Sequence, residues 1–257
     1  MGVLNVTPDS FSDGGRYLDP EAAIAHGLQM AAEGADVVDV GGESTRPGAA
    51  DVPTSVELDR VVPVVAALAP HVRVSIDTRK REVAEAAIQA GATLVNDVSA
   101  ALWPVAAEAP GVGWIAMHMR GVPGTMQTSP EYDDVVREVT DFLAGGADEA
   151  RAAGVEEIWL DPGIGFGKTA AHNLALLGHL DAVVALGSPV VVGTSRKSFL
   201  GALLDGAPPE DRLEGSLATA VWAMTRGAAM VRVHDVAATV QAATLVGAAG
   251  AFGGRDR

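Results

Sequence analysis

No cysteine occurs among the 257 residues, which removes disulfides, thiolate catalysis and cysteine-ligated zinc from consideration and matches a reducing compartment. Aromatic residues are scarce at 4%, and positive charge is in deficit: 18 Lys and Arg stand against 33 Asp and Glu, for a formal net charge of −15. A chain this acidic lacks the general basic face that nucleic acid or an anionic membrane demands, so neither is an expected partner. Any anionic small molecule must be held by local basic residues. Also missing are a basic and apolar leader and a run of about 20 apolar residues. The nearest approach, residues 236–252, is rich in Ala and Gly and is interrupted by Thr239 and Gln241. The expected location is the cytoplasm.

What is present is enough for a large core: 48% of residues are hydrophobic and 20% charged. The length suits one (β/α)8 barrel, although two small domains would also fit. The opening stretch MGVLNVTPDSFSDGG sets the pattern. An apolar run stops at Asn5, a polar loop follows with Thr7, Asp9, Phe11 and Asp13, and Asp19 with Pro20 reads as the N-cap and first-turn proline of a helix that continues to Gly34. Apolar runs ending in polar residues recur at 37–40, 72–76, 93–95, 114–117, 158–160, 190–192 and 230–233, which with the first makes eight strands. Most of the amphipathic segments between them end in glycine: Gly34, Gly91, Gly154, Gly187 and Gly227. Glycine at that position ends a helix without a Cβ clash in the left-handed conformation. Thr54 with Glu57 fits a capping box, and the connection near 103–110 is the shortest helix candidate. Strands alternating with helices imply a parallel sheet with right-handed crossovers. The expectation is an α/β protein, a single (β/α)8 TIM barrel over residues 1–257 with parallel strands and long βα loops 1 and 2.

A buried strand should be apolar throughout, yet Asn5, Asp39, Asp77, Asn96, Asp97, His118, Asp161, Lys197, Arg232 and His234 fall in or just after strands. Each alone has an ordinary explanation. A lone Asp there is more often the N-cap of the next helix than an acid catalyst. Asp39 could be a structural carboxylate of the barrel interior, and His118 and Arg120 could be solvated loop residues. Recurrence at the C-terminal strand ends is what points to a site, because barrels of this type carry their chemistry there. The segment GIGFGK, ending at Lys168, could cradle an anion or simply make a tight turn; it has neither P-loop nor dinucleotide-binding spacing. SRKS (195–198) and RVHD (232–235) are basic within an acidic chain, at the loops where barrels often bind phosphate. No zinc or EF-hand spacing appears, but a hard ion such as Mg²⁺ held mostly by substrate phosphates would leave little trace. Asn5 could be such a ligand.

In order and spacing, MGVLNVTPDSFSDGG, GADVVDVGGESTRPGA, VSIDT, VNDVS, MHMRGVPGTMQ, LDPGIGFGK, GTSRKSFLG and RVHDV closely resemble the motifs of the dihydropteroate synthase family. The resemblance implies condensation of 6-hydroxymethyl-7,8-dihydropterin pyrophosphate with p-aminobenzoate to 7,8-dihydropteroate and pyrophosphate, by a dissociative route, with sulfonamides as inhibitors. It implies pterin recognition by Asp77, Asn96, Met117, Asp161 and Lys197. Pyrophosphate would lie against Asn5, Arg46, Arg232 and His234, with Mg²⁺ on Asn5. A p-aminobenzoate pocket would comprise Phe11, Asp13, Thr45, Arg46, Pro47, Phe166, Lys197 and Ser198. Catalysis would rest on Asp77, Asp161, Lys197, Arg232 and His234, and the usual assembly would be a homodimer. Family members carry several residues ahead of the equivalent of Met1, so a short first strand is expected. Two other classes stay open at this point: an inactive pterin-binding paralogue, and a methyltransferase barrel that binds methyltetrahydrofolate.

Overall fold

Short Val-, Ile- and Leu-rich segments form the wall of a barrel in a computed structural model that describes residues 1–7, 20–44, 51–122 and 124–253. The strands are β1 (Gly2–Asn5), β2 (Val37–Gly41), β3 (Arg73–Asp77), β4 (Leu94–Asp97), β5 (Gly113–Met117), β6 (Ile158–Asp161), β7 (Val191–Val192) and β8 (Met230–Val231). β1 to β6 pair in sequence order, and β7 pairs with β8, all in parallel. Parallel bridges close the ring at both gaps, Leu160 to Val190 and Gly2 to Val233. The Leu160 N–H donates to Pro189 O and the Val3 N–H to Val233 O, each at 2.9 Å. Several strands end one residue later than the apolar runs suggest, so Asp77 and Asp161 are the last residues of their strands rather than the first of a loop.

The helices are α1 (Pro20–Ala32), α2 (Thr54–Leu68), α3 (Arg81–Gln89), α4 (Trp103–Glu108), α5 (Val135–Ala152), α6 (Ala170–Gly178), α7 (Leu180–Val184), α8 (Ser198–Leu203), α9 (Leu213–Thr225) and α10 (Val236–Gly253). α5 shows the sequence logic. Asp134 caps it by accepting from the N–H groups of Val136 and Arg137, and Val139, Leu143, Ala147 and Ala150 then bury one stripe against the strands. The five glycines expected to end helices all take positive φ, from 85° at Gly187 to 114° at Gly91. The capping box at Thr54 does not form. Pro53 occupies the cap, and Glu57 turns into the protein, where its carboxylate accepts from Thr78 Oγ1 at 2.7 Å and from Lys80 Nζ at 2.5 Å. Asp19, the expected cap of α1, lies outside the described residues. No helix among the described residues is long and apolar enough to cross a membrane.

The period of two along each strand divides the molecule. Val38, Val40, Val74, Ile76, Val95, Trp114, Ala116 and Leu160 point outward and pack under the helices. Met1, Val37, Leu94, Ile115 and Val191, with Trp159 and Met230, point inward and fill the N-terminal end of the barrel. Below that plug Arg73 donates to Glu157 at 2.6 and 2.9 Å. One pleat further toward the C-terminal ends, the same inward face carries Asp39, Ser75, Asn96, Met117, Asp161 and Arg232. The barrel is therefore apolar at one end and polar at the other.

Candidate active site

Register brings the polar residues to one level: Asn5 pairs with Gly41, Gly41 with Asp77, Asp77 with Asn96, and Met117 with Asp161. At the centre stands Arg232, placed after β8 by its N–H bond to Val192 O. Its Nε donates to Asp39 Oδ2 at 2.6 Å and its Nη2 to Asp77 Oδ2 at 2.7 Å, while Asn96 Nδ2 donates to Asp39 Oδ2 at 2.9 Å. Asp39, for which a structural and a functional role were equally open, is thus the buried brace of this cluster. One cation faces two carboxylates. Asp39 Oδ1, Asp77 Oδ1 and Ser75 Oγ are buried without a hydrogen-bond partner among the described residues. An orphaned buried acceptor costs about 1–3 kcal/mol unless a ligand satisfies it. Burial pushes the Asp77 carboxyl up to about 7, against the pull of Arg232, and the carboxylates of Asp39, Glu57 and Asp97 add to the rise.

Asp161 lies across the barrel. Its Oδ1 accepts from the Gly163 N–H at 2.7 Å, and burial raises its pKa while Lys197 opposes the rise. Lys197 follows β7; burial pulls it down to about 8, with Asp161 resisting. Its Nζ donates to Ile164 O and stands 4.4 Å from the centre of the Phe166 ring. The loop between Asp161 and Lys168 needs glycine at Gly163 (φ 67°) and Gly167 (φ 62°), where a Cβ would strike the carbonyl oxygens of His118 and Arg120. Ser195 Oγ lies 3.0 Å from His234 Nδ1 and accepts from the His234 N–H at 3.1 Å, so the hydroxyl fixes the orientation of that ring. Arg196, at φ 59°, turns outward to Asp235.

Asn5, Asp77, Asn96, Met117, Asp161, Phe166, Lys197, Arg232 and His234 therefore gather at the C-terminal mouth, with Ser198 exposed at its rim. Phe11, Asp13, Thr45, Arg46 and Pro47 lie outside the described residues. Lys168 is not an anion cradle. It is buried, with Nζ 2.8 Å from His118 Nδ1, 3.3 Å from His118 O and 3.1 Å from Phe166 O. Nor is His118 a solvated loop residue: it is buried, and its ring meets Phe142 of α5 edge-on at 5.0 Å. Parity along β5 was the available signal, because Trp114 and Ala116 face outward and His118 continues that row. Asp39 was equally accessible, two residues from inward-facing Val37. Nothing in the sequence singles out Ser195 as the partner of His234.

A family profile described as pterin binding enzyme matches residues 1–234. The dihydropteroate synthase of Mycobacterium leprae (strain TN) is 52% identical over 262 residues, covering 96% of this chain and 92% of that protein. Among solved structures, the Yersinia pestis dihydropteroate synthase in a sulfonamide drug complex superposes with a TM-score of 0.92 at 46% identity, covering 98% of this chain and 94% of the other. The Xanthomonas albilineans dihydropteroate synthase with 4-aminobenzoic acid gives 0.91 at 48% identity, covering 98% and 92%.

Proposed function

The chain belongs to the dihydropteroate synthase family of pterin-binding enzymes, and on that premise we propose that Asp77, Asn96, Asp161 and Lys197 read the pterin of 6-hydroxymethyl-7,8-dihydropterin pyrophosphate. The reaction joins that pterin to p-aminobenzoate, giving 7,8-dihydropteroate and pyrophosphate. The observation that carries the assignment of the pocket is the set of orphaned acceptors beside Arg232, Asp77 Oδ1 and Asp39 Oδ1. An aminopyrimidine edge is rich in N–H donors, and such a ligand satisfies buried carboxylate oxygens that have no partner among the described residues. Asp161 suits a paired N–H edge and Lys197 suits the ring carbonyl, with Met117 packed beside the ring.

Bond breaking comes first. The C–O bond between the pterin methylene and pyrophosphate opens, its electron pair leaves on the pyrophosphate, and a resonance-stabilised pterin cation remains. The p-aminobenzoate nitrogen then forms the C–N bond and loses a proton. Asp77 and Asp161 are assigned to the positive charge that grows on the pterin: burial raises both pKa values in the empty site, and a cation forming beside them draws them back toward the charged carboxylate. Pyrophosphate is assigned to Asn5, Arg46, Arg232 and His234. Arg232 keeps Nη1 beyond its two carboxylate bonds, and Ser195 holds the His234 ring in place. Phe11, Asp13, Thr45, Arg46, Pro47, Phe166, Lys197 and Ser198 are assigned to p-aminobenzoate.

The described residues contain no group of three or more His, Cys, Asp or Glu able to hold a metal. A single neutral oxygen, Asn5 Oδ1, suits a hard ion carried mainly by substrate phosphates. Mg²⁺ held by Asn5 would neutralise charge on the departing pyrophosphate. A homodimer is the assembly we favour, with exposed Leu174, Leu203 and Trp222 on α6, α8 and α9 as the apolar face to bury; sedimentation tests it.

The deciding assay follows pyrophosphate release with Mg²⁺, with and without p-aminobenzoate, alongside chromatography of the pteridine product. Release coupled to dihydropteroate and blocked by a sulfonamide is expected. Pterin binding with no turnover would overturn the synthase reading.

A further inference from the structure

Two lysines grip the loop 162–167 from opposite sides. Lys197 approaches from the barrel mouth, with Nζ on Ile164 O and over the Phe166 ring. Lys168 approaches from behind the wall, on the outward side of β5, where its ammonium meets His118 Nδ1, His118 O and Phe166 O. Three N–H donors thus meet three acceptors. Lys168 makes no ion pair with any carboxylate among the described residues, and it is only 3% exposed. Burying an ammonium among neutral acceptors is expensive compared with an apolar side chain of the same length. The expense has a geometric return: those contacts tie the carbonyl of Phe166 to the end of β5, and no apolar group can do that.

Other contacts act on the same loop. Gln127 Nε2 donates to Gly165 O at 2.6 Å, Tyr132 Oη to Gly167 O at 2.9 Å, and Gly165 N to Asn173 Oδ1 at 2.8 Å. All of these leave the Phe166 carbonyl itself to Lys168.

We propose that Lys168 is a positioning residue for p-aminobenzoate: anchored on His118, it holds the Phe166 backbone so that the Phe166 ring faces Lys197 and completes one wall of the amine substrate's pocket. The inference rests on the synthase reading and on the assignment of Phe166 to that pocket. Neither Lys168 nor His118 touches substrate. Both act through the loop.

The test is a comparison of Lys168→Met with the unmodified enzyme. The KM for p-aminobenzoate should rise about tenfold, while the affinity for pterin pyrophosphate, measured by calorimetry, stays within about twofold. A general loss of structure would weaken both substrates together, and an equal loss of both overturns the proposal, as does an unchanged KM. His118 supplies an independent pair of variants should Lys168→Met fail to fold. His118→Leu removes the acceptor and should reproduce the selective rise. His118→Asn, whose Oδ1 can stand in for Nδ1, should keep the KM within about threefold of the unmodified enzyme; equal impairment of both variants refutes the role. Absence of turnover in the unmodified chain would instead strike the synthase reading, and this inference would fall with it.

Discussion

Replacing Arg232 with Met should destabilise the protein in a way that depends steeply on pH. The guanidinium lies 2.6 Å from Asp39 and 2.7 Å from Asp77, and these carboxylates are 0% and 8% exposed. Removing one partner of a buried ion pair costs about 3–5 kcal/mol, because the remaining charge has neither water nor a counter-ion. Methionine preserves most of the apolar stem, so the loss reports the charge. The buried carboxylate of Asp77 escapes the penalty by taking up a proton. In the variant its folded-state pKa lies further above the unfolded value near 3.9, so the native state holds more protons than the unfolded chain and stability falls as pH rises. Asp77 already has this sign in the intact protein, with its carboxyl at about 7. Urea unfolding followed by circular dichroism at pH 5.5 and pH 8 is the assay. At pH 8 the midpoint should drop by roughly 1–2 M, for a slope of about 3 kcal/mol per M. At pH 5.5 the drop should be less than about half as large. The same loss at both pH values, or none at pH 8, would refute the account of two carboxylates held by one cation.

The remaining expectations concern substrates and the loop. Burial pulls Lys197 down to about 8, so its positive charge is present below that pH and lost above it, which weakens its hydrogen bond to the pterin; pterin pyrophosphate affinity should fall between pH 7 and 9, and calorimetry checks it. Lys197→Ala should bind that substrate at least about tenfold more weakly at pH 7 and show no further fall by pH 9. Phe11→Ala should mainly impair p-aminobenzoate use while pterin binding stays almost intact, and equal loss of both in steady-state kinetics would sink its assignment. Gly163→Ala forces a Cβ onto the His118 carbonyl at φ 67°. It should cost about 2–4 kcal/mol and lower the thermal midpoint by roughly 4–12 °C.

Much of this molecule was legible one residue at a time. The alternation of apolar strands with amphipathic helices and the glycines that end those helices are local properties, set by sterics and burial within a few residues, and they gave the order of elements. The polar residues that interrupt the apolar runs marked the C-terminal strand ends, and eight ordered motifs tied those ends to one family. Strand parity even contained the inward position of Asp39 and the outward position of His118.

Partnership was a different matter, because it depends on closure of the barrel. Arg232 and Asp39 are 193 residues apart, and only the bridge from Gly2 to Val233 brings the last strand against the first and so fixes which carboxylates the guanidinium meets. Glu57 has the local pattern of a helix cap, yet the packing of α2 against β3 offers it Thr78 and Lys80, and two charge-assisted contacts in a buried setting outweigh one exposed backbone bond. Lys168 follows a glycine loop that would suit an anion, but the fold puts its ammonium behind the wall, on His118. Short-range physics therefore determined what each residue could be in this chain: strand, cap, turn or polar end. The tertiary structure alone decided which charges meet, because hydrogen bonds form only at contact distance and charge attraction is strongest there, and contact between residues far apart in sequence exists only once the ring is closed.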